Sequence, residues 1–164
     1  MGTAAVRSAT RFWLLPVMTA VAIAAMAVAN AQATSPSPSG NFSSQQVTGP
    51  SCTSPVGLCT EGALTGGLKG TFTFTATTLT PSVDTPTTGV LLYTGDLMLT
   101  TKDGALLCKD AGAFKAVGDG AVSSVCAIVS GSGSLAGATG EIQFVGNFTA
   151  AGGVGDYRAT ISQP

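Results

Sequence analysis

Apolar and polar residues alternate over much of the chain. Leu68, Gly70, Phe72, Phe74 and Ala76 fall on one side of an extended segment, and Lys69, Thr71, Thr73, Thr75 and Thr77 fall on the other. A period of two marks a strand with one buried face, and threonine and phenylalanine suit such a surface. The pattern returns over residues 89–101, where Leu91, Tyr93, Leu97 and Leu99 share a side and Gly95 marks a bend or bulge. Between these two segments lies a Pro/Thr-rich loop over 80–88. Asp103-Gly104 and Asp119-Gly120 are hairpin signals. They bound strands expected over 105–109 and 121–130. A glycine-dense corner from Gly131 to Gly140 then delivers the chain into 141–149. There Ile142, Phe144, Gly146 and Phe148 oppose Glu141, Gln143, Asn147 and Thr149, and Val145 breaks the alternation. A final strand is expected over 156–162.

At least six strands joined by turns, with no amphipathic helical pattern after the N-terminal segment, predict an all-β domain. Hairpin-linked strands curl readily, and closing the sheet removes its edges. The expected architecture is a single antiparallel β-barrel of about eight strands. A β-sandwich is the alternative, because periodicity alone does not separate the two.

The N-terminal segment has another character. Arg7 and Arg11 precede an uncharged apolar run, and Ala29-Asn30-Ala31 and Ala31-Gln32-Ala33 form overlapping small-x-small sites. Residues 1–33 therefore read as a signal peptide cleaved after Ala31 or Ala33. That predicts a secreted, extracellular protein with no stable membrane association after cleavage. An uncleaved anchor helix is the alternative. Residues 34–50 read as a Ser/Pro-rich linker, too poor in apolar side chains to offset its ordering entropy. The barrel domain is expected over 51–164.

Composition narrows the chemistry. Histidine is absent, which removes His-dependent nucleophile systems, His zinc sites and the commonest general base. Beyond the leader, five basic residues stand against eight acidic ones, so a nucleic-acid partner is not expected. Of the four cysteines, Cys52 with Cys59 and Cys108 with Cys126 are the expected disulfides behind a signal peptide. A four-thiolate zinc site lacks the usual close Cys pairs. No metal and no cofactor is expected.

The stretch GSGSLAGATG followed by EIQFVGNFT resembles the glycine turn and strand of the allene oxide cyclase and dirigent barrel superfamily, in particular small bacterial secreted domains placed there. The preceding Ile128-Val129-Ser130 and the closing Gly155-Asp-Tyr-Arg-Ala-Thr-Ile161 fit the same layout. The likeness covers about residues 120–162. It implies an eight-stranded antiparallel barrel with a central cavity, in a superfamily whose members bind apolar ligands or guide cyclisation and coupling, often as trimers. A homo-oligomer is thus an expectation of the resemblance alone. No active-site position aligns outside the glycine corner, so no catalytic residue carries over.

The candidate catalytic residues are Asp96, Glu141 and Tyr93. Asp96 lies in mid-strand and would serve as an acid or base if it faced a cavity; on the face opposite Tyr93 it is simply solvated. Glu141 follows the glycine corner and lines a barrel mouth or rim. Candidate ligand contacts are Tyr93, Phe144, Tyr157 and Arg158, since barrel cavities combine apolar walls with a few polar groups. Alternation sends Tyr157 and Arg158 to opposite faces. An eight-stranded barrel either packs its interior or holds one small ligand. The expected function is small apolar ligand binding or another non-catalytic extracellular role, with no catalytic constellation evident. An isomerase/cyclase- or dirigent-like enzyme using the cavity and a structural cell-surface protein are the alternatives.

Overall fold

The computed structural model describes residues 37–163. The signal peptide expected over 1–33, with its cleavage sites, lies outside the described residues. Eight strands form a closed antiparallel barrel in which each pairs with its sequence neighbours. They are β1 (Ser39–Val47), β2 (Cys59–Leu64), β3 (Gly70–Pro81), β4 (Val90–Thr101), β5 (Gly104–Lys115), β6 (Ala121–Gly131), β7 (Thr139–Thr149) and β8 (Gly152–Ser162). A single helical turn, α1 (Thr85–Thr88), sits in the Pro/Thr-rich loop.

The expected linker is corrected in its second half: Ser39–Val47 is the strand that closes the barrel, pairing with β2 on one side and β8 on the other. Its polar composition conceals a period of two. Phe42 turns into the core, while outward Asn41 and Gln45 donate side-chain hydrogen bonds to Asp156 and Glu61, both at 2.7 Å. Closure of the ladder offsets the ordering cost that composition alone could not. The barrel therefore begins at Ser39, not at residue 51.

The two ends of the barrel differ. At one end lie the β2–β3, β4–β5 and β6–β7 connections. There Leu64, Leu99, Leu106 and Ile142 are fully buried, each worth about 1.5–3 kcal/mol on removal from water. Leu68 and Leu135, from the β2–β3 and β6–β7 connections, are buried with them. The glycine corner makes this plug: a short 3₁₀ turn over Gly133–Leu135 presents Leu135 inward, and Gly133, Gly137 and Gly140 take positive φ around it. Gly140, at φ 123°, also leaves no room for a Cβ against the Thr160 carbonyl oxygen.

At the opposite end the β1–β2 connection carries the Cys52–Cys59 disulfide, with Cα atoms 5.5 Å apart. Cys59 faces outward by strand alternation yet is buried, because the 52–58 loop folds back over it. Leu58 there accepts a backbone hydrogen bond from Ala76 at 2.9 Å. Replacing both Cys52 and Cys59 by Ser is expected to cost about 2–3 kcal/mol, read from urea unfolding of the variant against wild type.

The expected Cys108–Cys126 disulfide is corrected. Both thiols are free and buried. The β5–β6 register sets Cys108 opposite Ile128 and Cys126 opposite Asp110, past a bulge at Leu107. The cysteines are thus diagonal neighbours, a separation of about 7–8 Å, whereas a disulfide wants Cα atoms roughly 4.4–6.8 Å apart.

Candidate functional site

The plug fills one half of the barrel and leaves a cavity of about 80 Å³ in the other. Phe42, Phe72, Phe74, Phe114, Phe144 and Phe148 all line it. Phe42, Phe72, Phe74 and Phe144 are buried, while Phe114 and Phe148 are half-buried near the end that carries the disulfide loop. Strand alternation aims these rings inward, and inward glycines make space for them. A Cβ on Gly95 would come within 2.6 Å of the Phe74 ring, and one on Gly62 within 2.8 Å of the Phe72 ring.

Within this apolar wall is one carboxylate. Asp110 of β5 lines the cavity and is 5% exposed. Its Oδ1 is buried without a hydrogen-bond partner. Burial pushes its pKa up to about 6, against the opposing pull of the Ser124 and Tyr93 hydroxyls and the Ala111 N–H. Tyr93, from the adjoining strand, is itself held above the ordinary phenol range, by burial first and by the Asp110 charge second. Cys126, beside them on β6, is held protonated by its contact with Cys108 and then by burial. Tyr93 also joins an aromatic cluster, 5.5 Å from Phe74 and 6.1 Å from Phe114 between ring centroids. The site can therefore hold an apolar body and present one strong acceptor, or take up and release one proton near neutral pH.

Of the residues singled out from sequence, Tyr93 and Phe144 line the cavity. Asp96 lies on the outer face, where Lys109 pairs with it. Glu141 also faces away from the interior and accepts a hydrogen bond from Gln143 at 2.7 Å. Arg158 is exposed on β8. Tyr157 points inward but serves the plug: its hydroxyl donates to the Thr65 carbonyl at 2.9 Å and accepts the Leu68 N–H at 2.7 Å. Tyr157→Phe would orphan that buried N–H, and it is expected to cost about 1–3 kcal/mol in thermal or urea unfolding.

The residue that sequence reasoning missed is Asp110. The signal was present, because Leu106, Cys108, Asp110, Gly112 and Phe114 keep the period of two through β5. Comparison with protein-family models, with curated proteins and with solved structures finds no match for this chain.

Proposed function

We propose that this chain is a secreted barrel module that holds a small, largely apolar molecule in the open half of its interior. The observation that carries the reading is the phenylalanine-lined hollow with an unpartnered carboxylate oxygen. An interior serving stability alone gains nothing from a void or from a buried lone acceptor. The space is well below the roughly 300–1,000 Å³ of pockets that enclose drug-sized ligands. The occupant is accordingly small, or only its head is enclosed and the rest emerges past Phe114 and Phe148. Secretion is supported by the leader-like sequence and by the Cys52–Cys59 disulfide, a bond favoured in oxidising compartments. The resemblance to the allene oxide cyclase and dirigent superfamily adds an expectation of this same cavity and leaves the chemistry open.

Native mass spectrometry of the full chain, purified from exporting cells, tests this. The expected result is a non-covalent adduct that disappears when Val122→Trp obstructs the half-buried rim. Absence of any adduct, together with no thermal stabilisation by toluene, would overturn the reading.

A second reading, an isomerase/cyclase- or dirigent-like catalyst, is favoured by one observation: a buried carboxylate with a pKa raised to about 6 is poised to exchange a proton at neutral pH. It differs from binding in one outcome. Asp110→Asn would then abolish conversion of the bound molecule while leaving its retention intact.

A further inference from the structure

Building on the ligand-binding proposal, we infer that the occupant is a small monoamine, its ammonium group paired with Asp110 and its hydrocarbon part packed on the Phe74, Tyr93 and Phe114 rings. The argument begins with charge. An ionised carboxylate buried without a counter-ion is costly, and no cation of this chain faces it among the described residues. Lys109 pairs outward with Asp96, and Lys102 pairs with Asp103. Lys69 and Arg158 are exposed, Lys115 is half-buried, and none of the five basic residues among the described ones lines the cavity. The missing charge therefore comes from outside the described residues, and a bound cation supplies it.

Next is the nature of that charge. A hard metal ion asks for six or more oxygens from several side chains, and no cluster of three candidate metal ligands exists among the described residues. An ammonium needs one carboxylate, and its remaining donors find Ser124 in the same wall. The Phe74–Tyr93–Phe114 cluster is the surface on which organic cations gain cation–π attraction, more so where water is excluded. A neutral alcohol satisfies the orphaned Oδ1 but leaves its charge uncompensated.

Size completes the case. A cavity of about 80 Å³ is close to the liquid volume of three waters, at roughly 30 Å³ each. That encloses an ammonium head and its first carbons, and the rest of a short branched chain extends to the rim at Phe114 and Phe148. It does not accommodate a bulky polycyclic base.

The test is calorimetric titration of the full chain at pH 8 with isopentylamine and with its neutral isostere isopentyl alcohol, on wild type and on Asp110→Asn. The amine is expected to bind wild type at least tenfold more tightly than the alcohol. In Asp110→Asn that preference should vanish, the amine losing at least tenfold more affinity than the alcohol. Equal affinities, or binding of the alcohol alone, would overturn the amine assignment and leave the ligand-binding reading standing. If neither probe binds, the amine assignment falls, and the ligand-binding reading falls with it only if the native adduct and the toluene stabilisation are absent too.

Discussion

Leu106→Ala is expected to destabilise the barrel by about 3–4 kcal/mol. Leu106 is fully buried in the plug beside Leu99 and Ile142. Its neighbours are anchored in eight strands of a closed ladder, so the wall cannot collapse into the void, and the cavity cost adds to the lost transfer energy. Phe114→Ala removes a larger side chain but should cost only about 1 kcal/mol. Phe114 is half-buried and borders space that is already empty. Urea unfolding of the two variants checks the division between a filled and a hollow half. Equal losses would mean that no such division exists.

The second large effect is a dependence on pH. With its folded pKa raised to about 6, against an unfolded value of about 4, Asp110 keeps its proton in the native state after the unfolded chain has lost it. Its contribution to stability is whole below pH 4 and is lost as pH rises through 6, amounting to about 2–3 kcal/mol. The ionisable groups around it are Tyr93 from β4, Cys126 from β6 and Cys108 on its own strand. Tyr93 and Cys126 are held above their ordinary ranges and stay protonated across this window. Asp110→Asn should abolish the fall between pH 4 and 7 and leave the variant more stable than wild type at pH 7. A wild-type protein whose stability rises with pH over that window, with no change in the variant, would contradict the assignment.

The barrel was legible in the sequence because alternation is a direct consequence of which face meets the core. Phe72, Phe74, Leu97, Leu99, Ile142 and Phe144 all point as their spacing requires. What was hidden was hidden for physical reasons. In β1 the inward positions are Gly40, Phe42 and Ser44, small or polar apart from one ring, so the segment looks like a tether until its partners on both sides are known. β2 is obscured in the same way by Thr60 and Gly62 at inward positions. The site was lost by one residue: a strand ended at Lys109 stops just before Asp110, and a carboxylate is the least expected residue on an inward face. Asp96, equally placed within a strand, proved to be on the other side. The cysteines show a further limit. Both Cys108 and Cys126 face inward, as alternation implies, but pairing depends on register, and the β5–β6 connection sets Cys108 opposite Ile128 rather than Cys126.

Whether a buried carboxylate stands inside the largely apolar barrel is most directly settled by the pH titration of the Asp110 side-chain carboxyl carbon, followed by carbon-detected NMR and assigned with Asp110→Asn. The fold described here predicts a midpoint near 6 for this one aspartate. A midpoint at the ordinary value of about 4 would place Asp110 in water and remove the site.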